Sequence, residues 1–132
     1  MKSPYTGLKR ILMAFKYSYD GFVAAYKSEE AFRQDILLCI VLAITAALMP
    51  IPLWLKAILW SSLILILLME LVNTAIETII DRISPQYHEL SKKAKDIGSL
   101  LVLISFINAA VVWLASLYTW WPVIWSKLLG LF

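Results

Sequence analysis

Four polar residues recur at spacings of three and four in "ELVNTAIETIIDRI": Glu70, Asn73, Glu77 and Asp81. At a helix's 100° per residue they fall within about 80° of arc, as one stripe on one face. Glu70 and Glu77 then stand two turns apart, about 10 Å along the axis. The stripe directly follows "SSLILILLM", a run apolar enough for lipid. Ionisable groups at membrane depth are costly and by default mark functional sites. Carboxylates and an amide offer the hard oxygen ligands that Mg²⁺ takes, often beside substrate phosphates. Lys95 and Asp96 precede the third apolar run, and Glu29 and Glu30 precede the first, so all can converge at one depth. Two acids, a lysine and an amide suit a phosphorylated substrate. The competing use of such residues is to bond helices together without chemistry. Gly7, Gly21, Gly98 and Gly130 build no phosphate loop, and GxxxxGK[ST] is absent. Any nucleotide must therefore be held by side chains and metal.

The elements that position this stripe follow from composition. Of 132 residues, 61% are hydrophobic and 16% charged, against roughly half and a quarter in soluble domains. This is an all-α membrane chain with one folding unit, residues 1–132. Three stretches reach the ~20 apolar residues a spanning helix needs. The first covers about 31–49 and ends at "MPIP", where two prolines mark a turn. The second covers 53–83 and carries the stripe, and the third covers 96–118. Residues 119–132, rich in Trp and holding Pro122, read as an interfacial tail. Ahead of the spans, Leu8, Ile11, Leu12, Phe15, Tyr19, Phe22 and Tyr26 recur at helical spacing. Residues of about 5–28 are thus an amphipathic helix lying in the interface plane. Cys39, the single cysteine, rules out an internal disulfide and reads as packing. No signal-peptide core stands at the start, so the first segment is expected to stay on the mature protein.

Sidedness follows from the cations. Ten of the 12 precede the first span or lie in the loop between the second and third; Lys56 and Lys127 lie at the opposite ends. The N-terminus and the 82–95 loop are expected in the cytoplasm. All 9 acids share that side or its membrane boundary, so the chemistry is expected to face the cytoplasm. A net charge of +3 is too small to argue for a nucleic-acid partner.

The run "ELVNTAIETIIDRISPQYHELSKKAKDIGS", with "EEAFRQD" upstream, closely resembles the bacterial integral-membrane diacylglycerol kinases. The likeness covers about residues 5–118. It implies a homotrimeric bundle in the bacterial inner membrane, each subunit having three transmembrane helices and a surface helix. The implied reaction moves the ATP γ-phosphate to diacylglycerol, giving phosphatidic acid, with Mg²⁺ as cofactor. By the same resemblance Glu70 is the general base, Glu29 and Glu77 bind metal and nucleotide, and Asn73 supports the catalytic acid. Arg10, Tyr17, Gln86, Tyr87, His88, Lys95 and Asp96 match nucleotide-contacting positions. Arg10, Glu70 and Ser99 match positions that place the lipid, with Ala14, Ala24, Ala25, Phe32, Arg33 and Trp113 along its groove. A related branch phosphorylates undecaprenol, and "YHELSKKAKDIGS" looks closer to the diacylglycerol branch.

The chemistry agrees with the resemblance. Phosphoryl transfer asks for positioning and charge neutralisation more than for covalent help. Glu70, at the lipid end of the stripe, can accept a proton from a hydroxyl held at the interface. Three spans enclose little interior, so sites shared between subunits are expected. Two rivals come from other classes. A small transporter would place its acids deep in the bilayer rather than at one boundary. A non-catalytic assembly subunit would use the stripe for packing alone and consume no ATP.

Overall fold

The computed structural model describes residues 6–84 and 86–130, the side chain of Leu128 excepted. Residue 5 of the expected surface helix and residues 131–132 of the expected tail lie outside these. Four helices follow in order: α1 (Gly7–Ser28), α2 (Glu30–Leu48), α3 (Leu53–Ile83) and α4 (Glu89–Leu128). No strand occurs among the described residues. α2, α3 and α4 are each long and apolar enough to cross a bilayer.

α1 is amphipathic and packs chiefly on α2, leaving Leu8, Phe15 and Tyr19 exposed. Its anchor is Phe22, whose ring meets Phe32 edge-on at 5.8 Å. The break between α1 and α2 is one extended residue, Glu29, with ψ 117°. Arg33 Nη1 donates back to the carbonyls of Tyr26 (2.9 Å) and Lys27 (3.4 Å). A cation thereby satisfies the orphan carbonyls that end α1.

α3 packs on α4 along most of its length and on α2 along its N-terminal half. Lipid removes the hydrophobic drive between helices, so close packing and small side chains must hold them. Ala46, Ala109, Ser62, Ser105 and Ser116 are accordingly buried. Each of these serines turns its hydroxyl onto its own helix, as Ser62 does on the Leu59 carbonyl at 2.7 Å. Across α2 and α3, Trp60 Nε1 donates to the Ala43 carbonyl at 3.1 Å. Lys56, the cation inside an apolar run, donates to the Ala47 carbonyl and so completes the end of α2.

α4 differs most from the sequence reading. It starts at Glu89, about two turns before the expected third span, and runs 40 residues through Pro122. At 1.5 Å per residue that is about 60 Å, roughly twice a bilayer's hydrocarbon thickness. Residues 119–128, expected as a tail, are a continuation of the helix. Pro122 removes only the bond to the carbonyl four residues back. Packing compensates: Ile124, 9% exposed, joins Ala46, Met49, Ile51, Leu55 and Leu59, with Trp120 against them. The extension thus closes over the α2–α3 turn.

Candidate active site

The stripe lies on the C-terminal half of α3, opposite the start of α4. Glu70 is 6% exposed, Asn73 and Glu77 are half-buried and Asp81 is exposed. The helix therefore carries its acids from a closed environment out to an open one. Asn73 Nδ2 donates to Glu77 Oε1 at 3.3 Å, an i,i+4 bond along the stripe. Asn73 supports Glu77 in this way, one turn from Glu70. α2 packs on α3 with Cys39 Sγ donating to the Leu63 carbonyl at 3.6 Å, and Asp35 stands one turn before Cys39 on α2. Neither of the two ion pairs among the described residues involves Glu70.

Lys95 Nζ reaches from α4 to Asp81 Oδ1 at 2.6 Å. Lys95 stands just before the uncharged stretch that begins at Ile97, and its hydrogen bond to Asp81 holds the ammonium above the ordinary lysine value. Asp96 is paired within its own helix, with Lys92 at 2.5 Å. Lys95 and Asp96 thus each have a protein partner that an incoming phosphate or cation would displace.

Around them, between the end of α3 and the start of α4, lies a cavity of about 470 Å³. Asp81, Gln86, Tyr87, His88, Lys92, Lys95 and Asp96 line it. His88 is also the N-cap of α4: Nδ1 accepts from the Leu90 N–H at 3.2 Å. A neutral imidazole accepting at Nδ1 carries its proton on Nε2, a donor still able to meet a phosphate oxygen. Five sequence-designated nucleotide residues (Gln86, Tyr87, His88, Lys95 and Asp96) therefore share one cavity. Four others lie outside it: Glu29 at the α1–α2 break, Glu77 higher on the stripe, and Arg10 and Tyr17 on α1. Arg10 lines a separate hollow of about 590 Å³ on α1 with Gly7, Ala14 and Ser18, and Tyr17 is exposed on α1 in neither.

The lipid positions are scattered. Ala14 and Ala24 are exposed, while Ala25 is buried. Phe32, 1% exposed, belongs to the α1–α2 packing and presents no surface to a lipid. Arg33 is committed to the end of α1. Ser99, in the turn after Lys95, is exposed and bonds the Lys95 carbonyl at 3.2 Å. Trp113 lies about 22 Å further along α4 from Gly98. Its ring packs into the core and borders a hollow of about 240 Å³ with Leu38, Leu42 and Ile66, its Nε1 buried without a partner. A depth of 22 Å from the stripe is the reach of an acyl chain, not of a headgroup.

Asp35, Asp81 and Lys92 were not singled out as site residues from the sequence. Asp35 offered a signal, being the one acid inside the first apolar run. Asp81 sat on the stripe, but its partner on α4 depends on the antiparallel register.

No group of three or more His, Cys, Asp or Glu side chains among the described residues could enclose a metal ion. Glu29 and Glu77, the two residues that the resemblance assigns to metal, are both carboxylates. Such a set fits a hard divalent cation that keeps waters and substrate phosphates in its shell, and it would suit a softer ion poorly.

Residues 16–117 match the family model described as prokaryotic diacylglycerol kinase. A diacylglycerol kinase of Escherichia coli (strain K12) is 39% identical over 119 residues, which is 90% of this chain and 98% of that protein. A diacylglycerol kinase of Pseudomonas aeruginosa is 44% identical over 108 residues, 82% of this chain and 88% of its own length. One from Helicobacter pylori (strain J99) is 36% identical over 117 residues, 81% and 84% of the two chains. With residues 16–117 matched by the family model and relatives 36–44% identical over most of its length, this chain belongs to the prokaryotic diacylglycerol kinase family.

Proposed function

We propose that this protein is a membrane-embedded lipid kinase that transfers the γ-phosphate of ATP to the free hydroxyl of diacylglycerol, giving phosphatidic acid and ADP. The observation that carries the reading is a buried Glu70 at the head of a polar stripe whose other end, Asp81, lines a polar cavity with Lys95. The names of the relatives support the substrate class.

Glu70 accepts the proton of the lipid hydroxyl, and the hydroxyl oxygen forms its bond to the γ-phosphorus. The bond from that phosphorus to the β,γ-bridging oxygen breaks, and ADP leaves with the electron pair. Lys95, released from Asp81, offsets charge on the transferred group. Gln86, Tyr87 and His88 line the cavity's loop side and hold the nucleotide, with Arg10 and Tyr17 brought from α1. Glu29 and Glu77 would hold Mg²⁺, which supplies neutralisation of phosphate charge when bound. Asn73 keeps the Glu77 carboxylate in place.

Asn73 and Glu77 are only half covered by their own chain, and large apolar faces of every helix are exposed. In lipid a second subunit is needed to close such a site, and a homotrimer in the bacterial inner membrane is the assembly proposed. The cation distribution supports a cytoplasmic N-terminus and active site. A side-by-side assay of purified protein with diacylglycerol and undecaprenol tests the substrate. Faster transfer to diacylglycerol is expected, and faster transfer to undecaprenol would overturn the assignment.

A further inference from the structure

Of the four glycines, Gly98 is the one whose missing side chain matters to a neighbour. Around Gly7, Gly21 and Gly130, an added Cβ meets nothing within 4 Å. At Gly98, buried on α4, a Cβ would overlap Asn73 Oδ1 and stand 3.3 Å from its Cγ. The Asn73 Cα would be 3.6 Å away, an ordinary contact. The two backbones therefore leave room for alanine, but the Asn73 amide does not.

The orientation of that amide is fixed by chemistry. A carboxylate only accepts, so the end facing Glu77 must be the nitrogen, and it donates to Oε1 at 3.3 Å. The oxygen is left facing Gly98, buried and with no hydrogen-bond partner. Any other resting place for Oδ1 would turn Nδ2 away from Glu77.

We propose that Gly98 is a positioning residue of the active site: its bare backbone sets where the Asn73 amide lies, and through that amide it holds the Glu77 carboxylate. The contact stands on geometry alone. Its effect on metal use rests on the reading of Glu77 as a metal-binding residue.

Structural and positioning roles give opposite signatures here. Alanine is a better helix former than glycine, and the overlap is relieved when one short side chain rotates. The test compares full-length Gly98→Ala, Asn73→Ala and the double variant in diacylglycerol-containing mixed micelles. It reads thermal stability, kcat, KM for diacylglycerol and the Mg²⁺ concentration giving half-maximal activity. Gly98→Ala is expected to keep its stability and lose about tenfold or more in activity, as supporting residues of metal sites do. Its Mg²⁺ requirement should rise while KM for diacylglycerol stays within about twofold. Asn73→Ala should show the same shift, and the double variant should be no worse than Asn73→Ala, because both changes act through one contact. Wild-type activity in Gly98→Ala would overturn the proposal. So would a further loss when Gly98→Ala is added to Asn73→Ala, a comparison that holds even where the single glycine variant fails to fold. A non-additive loss with unmoved Mg²⁺ dependence would support the Gly98–Asn73 contact and count against Glu77 as the metal ligand.

Discussion

Replacing Glu70 with glutamine removes a charge and a proton acceptor while keeping the shape of the side chain. The structure lets both consequences be sized. Glu70 is 6% exposed, and the next carboxylate of the stripe, Glu77, stands two turns along the same helix. A like charge about 10 Å away, the two-turn spacing of Glu77 along the helix, is worth roughly 1.5–2 kcal/mol at an effective dielectric of about 20. Glu70→Gln should therefore leave the protein as stable as before, or more stable by about 1–2 kcal/mol after screening. Catalysis should move the other way. Loss of a general base costs about 10²-fold or more in kcat, or about 2.7 kcal/mol of barrier. Binding of MgATP should change little, because the nucleotide cavity begins near Asp81, three turns further along α3. Steady-state kinetics at several Mg²⁺ concentrations, nucleotide titration and thermal unfolding of one preparation supply all three quantities. A variant that keeps more than about a tenth of wild-type kcat, or that high Mg²⁺ restores, would refute Glu70 as the base.

Glu77→Gln should behave differently: a neutral amide is a poorer ligand for a hard cation, so MgATP binding should weaken and part of the activity should return at high Mg²⁺. Normal MgATP binding by Glu77→Gln, measured by titration, would remove Glu77 from the metal site. Mixing Glu70→Gln with Lys95→Met subunits under proven exchange should restore some activity if sites are shared, and continued inactivity would confine each site to one chain. In a Cys39→Ala background, Ser126→Cys should react with an impermeant thiol reagent from outside and Ser91→Cys should not; the reverse pattern would invert the proposed topology.

Much of the fold was legible because lipid imposes simple rules. The apolar runs gave the spans, "MPIP" gave the turn, and the period of Leu8, Ile11 and Phe15 gave the surface helix. The stripe of Glu70, Asn73 and Glu77 was equally readable, since residues three and four apart on one helix need no tertiary information. What escaped the sequence depends on register between helices. Lys95 reaching Asp81 and Gly98 touching Asn73 both join residues far apart in the chain. Phe32 and Arg33 were expected along a lipid groove, but α1 needed an anchor and an end cap, and these two supply them. The reach of α4 past Tyr118 was hidden by Pro122 and the aromatic cluster. Both are usual signs of a helix end, and here packing of Ile124 over the turn outweighs them.

The central claim is that the stripe performs phosphoryl transfer to a lipid hydroxyl. Its most direct test supplies purified protein with ATP radiolabelled at the γ-phosphate and diacylglycerol, with Glu70→Gln prepared alongside, and follows the label. Labelled phosphatidic acid should form with the wild-type protein, one per ADP released, and should fall by about 10²-fold or more in the variant. ATP consumption without labelled lipid, or equal labelling by both proteins, would contradict the account.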